Sequence, residues 1–372
     1  MSTLLFRGGR ATSVSRAISS KRLFSRTFSS SSREQRLELL KKIYAPVAHL
    51  EKGSSEYDAI AASGKCWSGY FDPGNLDRYG FRRVEEAYRD LLVEVDSYRP
   101  LMKLSTEKIG RMLVTEYAQQ STAIEDNHLR LGDSLRIAES LDDKFFRHVD
   151  LASLPASDLP TMRLPPCSEL LPVQDPNQVA EVRNHIVATK WVAEVAPRHP
   201  GTPGLSEHEI CALNALLIKD TESEQLYSSG WGGRSLPGSY RNLPIGVRSN
   251  PLRIFPYPQE VPNLIREFFA WRDNAHNQQL LHPLLLACHL TVYFVFLHPF
   301  LDGNGRVSRT LMQDYLIRQG YIPVVMQDLE REEYVAMISD AQDGKPEAFV
   351  DRVLSTQLDM MRTFHSRNLE VD

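Results

Sequence analysis

From residue 35 onward, apolar positions recur every three or four residues along most of the chain, the spacing of helices that set one face on a core. Leu37, Leu39, Leu40 and Ile43 make one stripe, and Val84, Tyr88, Leu91, Leu92 and Val95 make another. Between them, Gly64 to Gly80 is rich in Gly, Pro and aromatics and reads as a structured loop. The pattern predicts a third helix from near Thr106, its expected cap, to Asp126. Six prolines between residues 151 and 178 then exclude a continuous helix and predict a linker or an extended strap. Helical spacing resumes over Gln178 to Val195 and again over Ser206 to Lys219, where Ser206 and Glu209 form a capping box. Gly, Pro and short β-prone stretches from Trp231 to Pro258 predict a hairpin. Further helices follow over Val261 to Arg272, Pro283 to Leu297 and Val307 to Arg318, and near the C-terminus.

Leu284 to Leu297 stands apart, because only His289 and Thr291 interrupt its apolar run. It falls short of the ~20 residues a bilayer requires, so it reads as a helix buried on all sides. Such a helix is a rigid platform for whatever lies at its end.

That end is His298-Pro299-Phe300-Leu301-Asp302-Gly303-Asn304-Gly305-Arg306-Val307-Ser308-Arg309. Gly303 and Gly305 flank Asn304 just before a helical pattern, so backbone N–H groups of a tight turn and a helix N-terminus converge as an anion site. Arg306 and Arg309, three apart, share a face with it, and two guanidiniums over a nest of amides suit a polyphosphate. Asp302 among phosphate oxygens needs a cation, and an all-oxygen set points to Mg²⁺. His298 can take a proton from a hydroxyl nucleophile. Phe300 is the expected apolar pin. No GxxxxGK[ST] or GxGxxG loop competes for the phosphate role.

These twelve residues resemble the Fic-domain signature HxFx[DE]GNGRxxR at every specified position. The resemblance reaches upstream to His282-Pro283, His289, Gly238 to Arg241 and Glu181 to Asn184, and covers roughly Gln178 to Gly344. It implies an all-α Fic fold with a small β-hairpin flap and a preceding N-terminal helical region. The implied activity is AMPylation, the transfer of AMP from ATP to a Ser, Thr or Tyr hydroxyl of a protein. Carried over by position, His298 is the base and Asp302 the Mg²⁺ ligand. Asn304, with the amides of Gly303 and Gly305, forms the α- and β-phosphate hole. Arg306 and Arg309 clamp the polyphosphate, with Arg309 toward the γ-phosphate. The flap that aligns the protein substrate falls on Ile245 to Pro258.

Many Fic proteins also carry an inhibitory helix, [ST]xxxE[GN], whose Glu pairs with the second signature Arg. Ser121 and Glu125 match this pattern, whereas Asp126 departs from it. The resemblance thus implies an adenylyltransferase restrained by competition between Glu125 and phosphate for Arg309. Two alternatives stay open at this point: hydrolytic removal of AMP at the same site, and an ATP-binding regulatory module without catalysis.

Composition divides the chain rather than naming it. The 43 Lys plus Arg and 47 Asp plus Glu give a net charge of −4, but residues 1 to 28 hold six basic residues and no acid, leaving −10 for the remainder. An Arg- and Ser-rich, acid-free leader is the composition of a mitochondrial transit peptide, and a matrix location is the expectation. Residues 35–150 form the expected N-terminal helical region, 151–178 the Pro-rich linker and 179–365 the Fic domain. An acidic mature chain argues against nucleic acid as main partner. No transmembrane segment is expected, and a homodimer remains an option. Four widely spaced cysteines argue against a disulfide scaffold or a Cys-zinc site.

Overall fold

The computed structural model describes residues 30–70, 72, 74–228, 235–246 and 252–369. Among the described residues the protein is all-α, with no strand. At its centre lies the Pro283–Leu297 helix, with nearly every side chain buried. His282 caps it by accepting from the Leu284 N–H (3.3 Å), and Pro283 fills the first position, where no donor is needed. The Asn304–Arg318 helix packs along it most extensively. Pro176–Val195 and Glu207–Ile218 pack on Asn304–Arg318 from other sides. The Ser206–Glu209 capping box forms both of its hydrogen bonds.

One continuous apolar core runs from Ile43 to Phe364. It includes Val95 and Ile137 from the N-terminal helices, so this region is built into the same core as the signature helices. The Pro-rich stretch is a strap rather than a free tether. Leu151, Leu159, Leu170 and Leu171 are buried, and Ala156–Thr161 lies against Glu207–Ile218. Its carbonyls also accept from fixed side chains: Leu154 from Trp191 (3.1 Å), Pro160 from Lys219 (2.8 Å) and Pro165 from Arg183 (2.9 Å). These bonds supply what proline removes from a helix.

Two expectations need correction. The helix expected over Thr106 to Asp126 is two, Thr106–Met112 and Val114–Ala123, broken at Leu113. Its cap is Ser105, whose hydroxyl accepts from Lys108 N–H (3.2 Å), and Thr106 is already helical. The hairpin is not met either: 245–246 and 252–257 carry no strand, while 247–251 lie outside the described residues. Pro244, Pro256 and Pro258 cannot donate to a ladder. Instead the two arms are joined by the Arg241 guanidinium, which donates to the carbonyls of Leu243 (3.3 Å) and Pro256 (2.6 Å). Residues 1–28, the expected transit peptide, also lie outside the described residues.

Candidate active site

His298 ends the central helix in a left-handed conformation, φ 50° and ψ 59°, which turns the chain out of the helix and costs a non-glycine residue about 1 kcal/mol. Its Nδ1 lies 3.0 Å from the Val295 carbonyl, which can only accept, so Nδ1 carries the proton and Nε2 presents its lone pair. Burial pushes the imidazole down to about 4, with Arg241 adding to the fall and the Val295 carbonyl opposing it. At neutral pH the ring is therefore an unprotonated base. Arg241 fixes the loop behind it, because its Nε donates to the His298 carbonyl (2.7 Å) and its backbone N–H to the Pro299 carbonyl (2.8 Å).

The next five residues fold back as a tight loop. Phe300 is fully buried between Phe294 and Tyr240 and pins it, as expected from the sequence. Phe300→Ala should cost about 3–5 kcal/mol in a denaturant unfolding series, the range for emptying a buried aromatic site. Gly303 has φ 82°, and a β-carbon there would stand 2.8 Å from the Asn214 amide nitrogen, so any other residue would strain the turn. Asn304 opens the following helix. Its amide donates to the Phe300 carbonyl (3.0 Å) and its oxygen accepts from the Phe300 N–H (2.9 Å). Each end of the side chain thus makes one bond that shapes the loop, which leaves the second amide N–H and the main chain to serve an anion site.

Asp302 projects from this loop with its side chain 45% exposed. Its Oδ2 accepts from the Ser223 hydroxyl and from Arg306 (3.1 Å), and its carbonyl accepts from Asn214 (2.9 Å). Among the described residues no group of three or more His, Cys, Asp or Glu converges as a metal cage. One half-exposed carboxylate beside phosphate-sized anion donors nonetheless suits Mg²⁺, which takes one or two protein carboxylates and fills its remaining sites with phosphate and water.

Arg306 and Arg309 are both almost fully buried on the first turns of the Asn304–Arg318 helix. Each keeps one buried N–H without a protein partner, Nε in Arg306 and Nη1 in Arg309. Arg309 Nη1 lies 3.2 Å from where a β-carbon of Gly305 would stand, hence over the helix N-terminus. An orphaned guanidinium donor is costly, typically ~1–3 kcal/mol, unless a ligand satisfies it. Two such donors beside helix-terminal amides make a cationic, incompletely satisfied anion site.

The rest of Arg309 is held by the N-terminal region. Its Nε donates to the Ser121 hydroxyl (2.7 Å), and its Nη2 to the Ser121 carbonyl (2.7 Å) and Glu125 Oε1 (2.8 Å). Glu125 stands so close over the helix terminus that a β-carbon on Gly305 would collide with Oε1. A carboxylate therefore occupies a place built for an anion. Burial alone would raise the Glu125 carboxyl, but Arg309, Arg306 and Arg331 outweigh it and hold it down to about 2. Tyr117 donates to the Arg309 carbonyl, and Arg309 lies 5.2 Å from the Tyr334 ring centre.

The Fic/DOC family model matches residues 204–316, a span that includes the His298 loop and both arginines. The chain carries a Fic domain. It is similar to "Protein adenylyltransferase Fic" of Nematostella vectensis, 24% identical over 263 residues, which are 66% of this chain and 61% of that relative. It is also similar to "Protein adenylyltransferase Fic" of Drosophila persimilis, 37% identical over 95 residues, 26% of this chain and 18% of the relative. The chain thus spans less than two thirds of these relatives. Among solved structures, Fic-1 from C. elegans shares the fold over 96% of this chain and 94% of its own, at TM-score 0.56 and 17% identity. A Fic-domain-containing signaling protein from Bacteroides thetaiotaomicron covers 74% of this chain, with 95% of its own matched, at TM-score 0.52 and 20% identity.

Three features of this Fic domain and its neighbours escape sequence reading. Asp126, where the sequence departs from the inhibitory pattern, has φ 66°, a conformation that aspartate, like glycine and asparagine, adopts at modest cost. Asn127, one place later, donates to Glu181 (2.9 Å) and the Gln178 carbonyl (3.0 Å), anchoring the helix end. Arg331, unmarked by any motif, reaches Glu125 Oε2 (3.2 Å).

Proposed function

We propose that this protein transfers AMP from ATP to a hydroxyl of another protein and that Glu125 restrains it in the state described. One observation carries the reading: buried donors of Arg306 and Arg309 lack partners beside a helix N-terminus that Glu125 already fills. In the reaction, His298 Nε2 takes the proton of the target hydroxyl, the oxygen bonds to the α-phosphorus, and the bond to the leaving pyrophosphate breaks. Arg306, Arg309 and the amides at Gly305 balance the phosphate charge. Asp302 would hold Mg²⁺, which neutralises and orients the phosphates when bound. The described flap arms near Ile245 to Pro258, tied through Arg241 to the His298 loop, support a protein substrate entering there. The relatives named adenylyltransferase support the same activity class.

Glu125 bears on the hydrolytic alternative. A carboxylate held near 2 by cations is a weak base, which disfavours it as the activator of a water in this arrangement. The composition of residues 1–28 supports a mitochondrial matrix location, tested by importing a reporter fused to residues 1–35.

The decisive experiment supplies α-labelled ATP and Mg²⁺ to the Glu125→Gly protein with organellar extract and reads labelled bands. Released AMP from a pre-AMPylated target with wild type would instead favour the hydrolase. The pH profile is a further expectation. In Glu125→Gly, kcat/KM should stay level from pH 8 to about 5 and fall only at about pH 4 or below, because His298 is held down to about 4 and loses the upward pull of Glu125. Wild type should gain nothing over that range, since Glu125 stays ionised until about pH 2.

A further inference from the structure

The inhibitory carboxylate has two oxygens, and two different arginines hold them. Arg309 takes Oε1 at 2.8 Å and Arg331 takes Oε2 at 3.2 Å. Arg331 begins the Arg331–Gln342 helix, 22 residues beyond the last position of the signature run. Its guanidinium does more than meet Glu125. The same Nη1 donates to the Ile124 carbonyl (2.9 Å), an end group of the inhibitory helix, and Nε lies 3.4 Å from Asp126 Oδ2. A planar, permanently charged fork is suited to gripping a carbonyl and two carboxylates at once. A cation at a helix C-terminus is favourable in itself.

The same turn touches the other half of the clamp. Tyr334, three residues on and buried, lies under the Arg309 guanidinium. One turn of one helix thus abuts both the inhibitory carboxylate and the arginine it competes for.

We infer that Arg331 is the latch of the inhibitory helix: it positions Glu125 and Asp126 for the closed state and sets how strongly Arg309 is withheld from phosphate. This rests on the restraint by Glu125 proposed above and extends it to a residue with no duty in phosphate binding. Arg331 is 42% exposed, whereas Arg309 is 2% exposed, so the latch can be displaced without unpacking the core. Its removal therefore releases the carboxylate and spares the catalytic loop.

The test is a double-mutant cycle read by AMP incorporation from α-labelled ATP, with melting temperature as a check on folding. Arg331→Ala should raise labelling over wild type by roughly tenfold, the scale of coupling between directly contacting groups. Arg331→Lys, which keeps one charge without the fork, should fall between. Adding Arg331→Ala to Glu125→Gly should change labelling less than twofold and leave the KM for ATP unmoved, since a latch acts only through what it holds. Labelling unchanged in Arg331→Ala while Glu125→Gly is active would overturn the latch and leave the proposed function standing. A double variant weaker than Glu125→Gly, with raised KM, would also overturn it by assigning Arg331 to nucleotide binding. Silence from Glu125→Gly with every target would remove the proposed function, and the latch with it.

Discussion

Replacing His298 in the Glu125→Gly protein should abolish AMP transfer, with a loss of roughly 10²–10⁴-fold, the usual share of a positioned general base. The geometry makes the ring hard to substitute. The Val295 carbonyl, 3.0 Å from Nδ1, settles the tautomer, so Nε2 is the only ring nitrogen able to accept a proton. The low basicity imposed by burial keeps it unprotonated at working pH. The variant must respect the backbone. At φ 50° alanine adds left-handed strain, so His298→Asn, which tolerates that region, belongs beside His298→Ala. Both should still bind ATP in a calorimetric titration, because none of the described anion-site donors belongs to His298. Loss of labelling with retained binding separates chemistry from nucleotide capture, and a variant that labels at the parental rate ends the assignment of His298 as base.

What was legible in the sequence is what is local. The central helix announces itself by an apolar run, and the loop after it by twelve adjacent residues whose side chains and amides are close because the chain makes them so. The Ser206–Glu209 cap is local for the same reason. Asn304 shows the limit of this reading. Its place in the run suggests phosphate contact, yet its amide also pairs with the N–H and carbonyl of Phe300, since a buried turn must satisfy its own backbone first. The break falls at Leu113, φ −94° and ψ 3°, where neither Gly nor Pro marks it, and the helices on both sides of it pack on Pro176–Val195. Arg331 is marked by no sequence pattern, and Arg241, although it falls in the resembling Gly238 to Arg241 stretch, carries no sign there of what it holds. Arg331 meets a residue 206 positions away, and Arg241 bridges proline-bearing arms that β-prone composition had suggested as a hairpin. Such pairings exist only once the core has assembled.

Glu125→Gly should raise AMP incorporation by roughly a hundredfold. The scale follows from the hold on the carboxylate. Groups in direct contact, as Glu125 Oε1 and Arg309 Nη2 are at 2.8 Å, couple by up to ~3 kcal/mol, and each 1.4 kcal/mol is tenfold. Ser121 keeps two of the Arg309 contacts after the change, so the guanidinium stays aimed while Nη2 loses its carboxylate and can meet phosphate beside the already unpartnered Nη1. The same coupling has a cost in stability. A folded-state pKa below the unfolded value stabilises above pH 4.5 and ceases to do so as pH falls through about 2. Wild type should therefore melt higher than Glu125→Gly at pH 7, with the gap closing below pH 4. Activation with a lowered melting temperature is the signature of a restraint that is also a structural tie. Equal labelling by the two proteins, at equal ATP and with the same target, would reject Glu125 as the restraint, whatever the melting curves show.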